Sequence, residues 1–284
     1  MHPGETETIR TLVAKSQHLS AQLRSLGRML VAYSGGVDSA YLAWAAYREL
    51  GDNMLAVLAD SASLARSQMH DAVAFAEEQH IPLMIIQTAE MERAEYRQND
   101  GARCFHCKDE LFRVMEEFRT QRGFATIAYG VNSDDQGDYR PGQQAARQHG
   151  VAAPLLDAGL TKADIRELAR QAGLRIWDKP ASACLSSRIE YGRPVTPEAL
   201  QVVEQGEDAL RALGFRQFRV RHHGDIVRIE ISPDELPRAL STGMAIEFTR
   251  IFKALGFTYV TLDLEGFRSG SMNAVLPLNH LTRP

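Results

Sequence analysis

The apolar run Met29-Leu30-Val31-Ala32-Tyr33 passes without a spacer into Ser34-Gly35-Gly36-Val37-Asp38-Ser39, and Ala40 to Leu50 continues with helical composition. A short unbroken apolar run that stops at a glycine turn reads as a buried strand, so the unit is strand, tight loop, helix. Its physical logic is that of an anion site. Glycines let backbone N–H groups approach an anion with no Cβ in the way. The helix N-terminus adds partial positive charge, and Ser34 and Ser39 carry hydroxyls that can donate to phosphate. Asp38 repels phosphate, so it fits if Mg²⁺ bridges carboxylate and phosphates, or if it caps the helix. The same residues also suit a plain strand-to-helix turn with Ser and Asp as caps. The chain has no G-x-x-x-x-G-K-[ST], so the loop is not of the Walker type.

The rest of the N-terminal part repeats the strand–helix alternation. Helices are expected over 8–26, 63–79, 108–122 and 161–171, and strands over 54–59, 82–86, 125–129 and 154–156. Residues 88–106 lack a clear period, and 134–142 read as a polar loop. This alternation predicts βαβ units, a parallel sheet and helices on both faces. Ligands of such sheets bind at the strand carboxyl ends, which should gather the glycine loop, Asp60-Ser61 and Gly130 to Asp135 on one edge. After Arg193-Pro194 the pattern changes: a helix over 197–213, a hairpin of 218–221 with 226–231, a mostly helical stretch over 233–255 broken near Thr242-Gly243, and a strand over 259–264. Ala-Leu-Gly-Phe occurs at 212–215 and 254–257, a weak repeat or a shared helix stop. The expected architecture is α/β, with a doubly wound parallel sheet over 1–190 and a smaller α+β domain over 191–284.

The chain has 284 residues, 44% hydrophobic, with net charge -4. That balance gives no reason to expect nucleic acid. No apolar run reaches the ~18 residues of a membrane span, and the polar Met1 to Arg10 lacks a signal-peptide core; the expected location is the cytoplasm. Three cysteines argue against a disulfide framework. Cys104-Phe105-His106-Cys107 has the spacing of a metal, cluster or redox pair, zinc with His106 included. Cys184 follows Lys179-Pro180 and precedes Arg188, cations able to lower a thiol pKa; a buried structural thiol is the plainer reading.

The loop Ser34–Ser39 in its strand–loop–helix setting resembles the PP-loop ATP pyrophosphatase superfamily. The resemblance implies that Ser34, Gly35, Gly36, Asp38 and Ser39 hold ATP phosphates, that Ser61 lies near adenine or ribose, and that Lys162 reaches the phosphates. More narrowly, Arg103 to Lys108, Gly130-Val131-Asn132-Ser133-Asp134-Asp135 with Asp138 to Gly142, and Lys179-Pro180 through Arg188 to Gly192 look like the LarE family. These are ATP-dependent sulfur transferases that make a pyridinium-3,5-bisthiocarboxylate mononucleotide, precursor of a nickel-pincer cofactor. The resemblance covers nearly the whole chain.

It implies adenylation of a substrate carboxylate, then displacement of AMP by sulfur at Cys184. Two sulfur chemistries occur in that family: a sacrificial cysteine, or a [4Fe-4S] cluster on three cysteines. Cys104, Cys107 and Cys184 favour the cluster, which three thiolates would leave with one open iron. Asp135 is a candidate Mg²⁺ ligand. Arg188, Arg219 and Arg221 are candidates for the pyridinium mononucleotide substrate, with ordinary pairing to Glu230 as the alternative for the strand pair. Homo-oligomers, trimers or hexamers, are expected from the family. A tRNA-thiolating enzyme, a non-catalytic nucleotide or Fe–S module and an ammonia-using synthetase share the loop; the near balance of basic and acidic residues after 185 weighs against the first.

Overall fold

The computed structural model describes residues 3–136, 141–180, 182–268 and 270–272. Strands β1 (Met29–Ala32), β2 (Met54–Asp60), β3 (Leu83–Gln87) and β4 (Thr126–Tyr129) form an all-parallel sheet in the order β3-β2-β1-β4. Helix α1 (Pro3–Leu26) precedes the sheet. Helices α2 (Val37–Leu50), α3 (Arg66–Glu78), α4 (Ala94–Arg97) and α5 (Arg103–Arg122) lie between its strands, and α6 (Pro141–Gln148), α7 (Pro154–Asp157) and α8 (Lys162–Gln171) follow it. Alternation along β1 builds two layers. Met29 and Val31 belong to a core with Leu19, Leu23, Leu42 and Ile165; Leu30 and Ala32 belong to another with Phe112, Met115 and Ala145.

The chain winds outward from β1 to β3 and then places β4 on the other side of β1. The order therefore reverses between β1 and β4, where crevices form at the strand carboxyl ends. Gly130, just after β4, lies at this point. A Cβ there would stand 2.7 Å from the Ser39 nitrogen and 2.8 Å from its Cα, so only glycine lets the strand end meet the first turn of α2.

A second sheet holds β5 (Phe218–His223), β6 (Ile226–Ile231) and β7 (Tyr259–Leu262), with β5 antiparallel and β7 parallel to the central β6. It packs with α9 (Pro197–Ala212), α10 (Leu236–Ala239) and α11 (Thr242–Ala254). The repeated Ala-Leu-Gly-Phe ends α9 and α11 in the same way. Gly214 and Gly256 take φ of +84° and +96°, and the Phe215 and Phe257 amides each reach back 3.1 Å, to the Leu210 and Phe252 carbonyls. This is a Schellman-type stop. It drops both phenylalanines into one core, at about 1.5–3 kcal/mol each.

Three expectations change. Residues 154–156 are not a strand but part of α7, with Pro154 at its start; proline cannot donate to a ladder yet suits a first helical turn. The sheet edge is met instead by a bridge between Ala128 and Ala152. Helix α5 begins at Arg103, not near Lys108, so Cys104 and Cys107 sit on its first two turns. Pro141 and Gly142, read as loop, begin α6; Asp138, Tyr139 and Arg140 lie outside the described residues. The break near 242–243 is a new start, where the Ser241 hydroxyl accepts from the Met244 amide at 3.3 Å.

His149, just past α6, is fastened to α5 by Asp109 at 2.9 Å and Glu116 at 3.0 Å. Burial opposes its charge, but the two carboxylates outweigh burial and hold the imidazole above its usual range. A raised histidine pKa contributes stability fully below the unfolded value and loses it as pH rises through the folded one. His149→Gln should therefore cost about 1–2 kcal/mol near pH 6, a difference that urea unfolding should find shrinking at about pH 9.

Candidate active site: a phosphate loop beside three cysteines

The loop between β1 and α2 is built as an open anion cradle. Gly36 is the N-cap of α2 and no side chain caps it, although capping side chains are the rule at that position. The first-turn N–H groups of α2 thus keep the orientation that binds anions. Gly35 takes φ +70°, and a Cβ on it would meet Ala72 Cβ at 2.5 Å. The Ser39 hydroxyl closes the loop: it accepts from the Ser34 amide at 3.1 Å and lies 3.0 Å from the Ser34 hydroxyl.

The carboxyl end of β4 supplies the acidic side. Asn132 donates from Nδ2 to Asp38 at 3.1 Å, and a capping box with Asp135 fixes the Ser133–Asp135 turn. The other Asp38 oxygen, Oδ1, is buried and unpartnered among the described residues. Burial raises the Asp38 carboxyl pKa, Lys162 pulls it down and Asp135 pushes it up again. Lys162 opens α8, its amide donating 2.8 Å to Asp134, and its ammonium lies within electrostatic reach of Asp38. Ser61 stands apart from this group. Its hydroxyl accepts from the Ser63 amide at 3.2 Å, and it lines a cleft of about 350 Å³ between the ends of β2 and β3 and helix α9.

The segment after Lys179 joins the loop to the cysteines. The Lys179 ammonium donates 3.2 Å to the Gly35 carbonyl. Five residues on, Cys184 lies at most about 18 Å away along the chain. Leu185 donates its amide to the Ser63 carbonyl at 2.8 Å, pinning Cys184 beside the turn after β2. The three thiols are free, with Cys104 the most exposed, and each lies within electrostatic reach of the others. Burial raises the Cys107 thiol to about 12. Burial also opposes the Cys184 thiolate, but Arg103 foremost, then Ser186 and Arg188, bring that thiol below its usual value. Lys179, expected as a flanking cation of Cys184, serves the glycine loop.

Three thiolates are the cysteine donors that an iron–sulfur cluster with one iron free of cysteine would take. Among the described residues, no three His, Cys, Asp or Glu side chains form a group that could hold a metal ion.

The three arginines gather near Cys184. Arg188 is 1% exposed and pairs with Glu207 at 2.8 Å, while its Nη1 donates to the Ala183 and Cys184 carbonyls at 2.7 and 3.0 Å. Arg221 pairs with Glu230 at 2.8 Å and donates to the Ser187 carbonyl at 3.2 Å. Arg219 lies over the Phe267 ring at 4.8 Å. Burial, then repulsion from Arg188 and Arg221, lowers its pKa to about 10.

No family model matches the chain. A Synechocystis protein of uncharacterised function is 42% identical over 265 residues, 93% of this chain and 99% of its own. The pyridinium-3,5-bisthiocarboxylic acid mononucleotide synthase of Lactiplantibacillus plantarum is 36% identical over 267 residues, 94% of this chain and 96% of its own. The chain belongs to the LarE family, that of this synthase. One subunit of the glutamine-hydrolysing GMP synthase of Sulfurisphaera tokodaii is 26% identical over 186 residues, 55% of this chain and 46% of its own.

In this LarE-family chain, the sequence marks the glycine loop, Lys162 and the cysteines; Arg103 and Asn132 stand inside stretches that carry the resemblance without a role of their own, and Glu207 and Asn99 give no sign. Glu207 looks like any polar residue of an amphipathic helix, and only its burial against Arg188 marks it. Removing one partner of a buried pair leaves the other charge uncompensated. Glu207→Ala should cost about 3–5 kcal/mol in urea unfolding; a loss below about 1 kcal/mol would place Arg188 among ordinary surface pairs.

Proposed function

We propose that this chain is an ATP-dependent sulfur transferase that adenylates a carboxylate of pyridinium-3,5-biscarboxylate mononucleotide and converts it to a thiocarboxylate. The observation that carries the reading is the short segment from Lys179, at the phosphate loop, to Cys184, beside Cys104 and Cys107. Family membership with the Lactiplantibacillus synthase supports the substrate. The likeness to part of a GMP synthase supports a nucleotide at the loop.

The uncapped start of α2, the two serines and Lys162 would bind the ATP phosphates. Asp38, with its unpartnered oxygen, and Asp135 would hold Mg²⁺, which when bound offsets phosphate charge. The substrate carboxylate attacks the α-phosphorus, the bond to the bridging oxygen breaks, and pyrophosphate leaves with the electron pair. Lys162 stabilises the charge growing on that leaving group. Sulfide held at the three-thiol site then attacks the acyl carbon, the C–O bond to AMP breaks with AMP taking the electron pair, and the sulfide sulfur leaves as the sulfur of the thiocarboxylate. Arg103 and Arg188 favour the thiolate of Cys184, the form that would bind iron. A [4Fe-4S] cluster on Cys104, Cys107 and Cys184 would supply this sulfur as sulfide. Arg219, whose charge is strained by Arg188 and Arg221, gains most from a substrate phosphate between them.

Asp38→Asn should lower pyrophosphate release at saturating ATP by about 100-fold or more with little change in Tm. For the sulfur source, chain purified without oxygen should contain iron and acid-labile sulfide, and Cys184 should keep its mass after turnover. Loss of one H₂S from Cys184 in iron-free chain would replace the cluster by a sacrificial cysteine.

A further inference from the structure

Arg103 is 3% exposed and adjoins Cys104, yet the steps above use it only as a nearby charge. Its Nη1 donates to the Ser186 carbonyl at 2.9 Å and to the Asn99 side-chain oxygen. The guanidinium reaches Cys104 on its own helix and lies 5.5 Å over the Tyr191 ring. One buried cation thus touches the first turn of α5 and the turn that follows Cys184.

Asn99 completes the connection. It is fully buried, with φ of +56°, a backbone region that asparagine enters more readily than other side chains bearing a Cβ. Its Nδ2 donates to the Glu190 and Arg193 carbonyls at 2.9 Å each and to Ile189 at 3.3 Å. Its own carbonyl accepts from the Gly192 amide at 3.0 Å. Asn99 and Arg103 together tie residues 99–104 to residues 186–193 by side-chain bonds to main-chain carbonyls, which do not depend on the identity of the residues they hold. A neutral amide could make the same bonds at lower cost, because burying a cation is expensive unless anions face it. What this cation faces is the sulfur of Cys104 and the turn that carries Cys184.

We infer that Arg103, oriented by Asn99, is a positioning residue that holds Cys184 against Cys104 and Cys107 and so sets the geometry of the three-thiol site. The inference rests on the sulfur-transfer reading for its consequence, but the spacing it predicts exists in metal-free chain. There, dibromobimane, which fluoresces when both arms have alkylated neighbouring thiols, should bridge Cys184 to Cys104 or Cys107, as mapped by peptide mass. Arg103→Gln should reduce that bridged fraction at least fivefold, and Arg103→Lys should recover more than half of it. Asn99→Gly, which keeps the positive φ but removes the side chain, should reduce it as Arg103→Gln does. Circular dichroism and the KM for ATP should stay within twofold of wild type in these variants, since the glycine loop is held by other elements. After anaerobic reconstitution, iron per chain should fall in the same order as the bridging. Wild-type chain that forms no bridge, or folded Arg103→Gln and Asn99→Gly variants that bridge as well as wild type, would overturn the inference. Wild-type chain that bridges yet takes up no iron would end the cluster reading and uphold the positioning role.

Discussion

The backbone of Ser39 runs so close to Gly130 that no side chain fits between them. That contact presses the end of β4 against the first turn of α2, at the place where the strand order reverses. Most of the phosphate site follows from it. Asn132, two residues beyond Gly130, reaches Asp38, and the turn it caps brings Asp134 to the amide of Lys162. Asp38 of α2, the turn after β4 and the start of α8 are thereby linked in one chain of contacts. Burial, with a further push from Asp135, raises the Asp38 carboxyl pKa against the pull of Lys162.

Residues 179–195 are the thread between the two sheets. Along it, Lys179 touches the glycine loop, Leu185 bonds to Ser63, Ile189 bridges to His222, and Val195 donates to Arg97. Between these anchors, Arg188 and Arg221 grip the main chain on either side of Cys184 while buried carboxylates balance them. Buried ion pairs contribute little net stability and are costly to break. Here they fix a loop of small residues that has few apolar side chains of its own with which to hold a conformation. A third arginine, Arg103, reaches the same segment through the Ser186 carbonyl without a carboxylate partner among the described residues.

Much of this is legible in the sequence where the signal is local. The glycine loop is written in six consecutive residues, so its position between a strand and a helix needs no tertiary information. The alternation of strands and helices gives the class of the first sheet, and Ala-Leu-Gly-Phe announces two helix ends that do share one geometry. Pro154-Leu155-Leu156 misleads because three apolar residues have no period; the proline decides for a helix start. The sequence places the start of α5 late because Arg103 to Cys107 shows no apolar stripe.

Sequence alone determined that a glycine-rich loop follows a buried strand, that three cysteines exist without disulfide partners, and that the chain resembles a family of sulfur transferases. Tertiary structure decided which charges serve which group. Lys179 and Arg188 flank Cys184 almost equally in sequence, yet one turns to the loop and the other to the thiol. Arg103 lies far from Cys184 along the chain and becomes its foremost cation. Coulomb energy depends on distance in space and on burial, and neither is written in the order of residues.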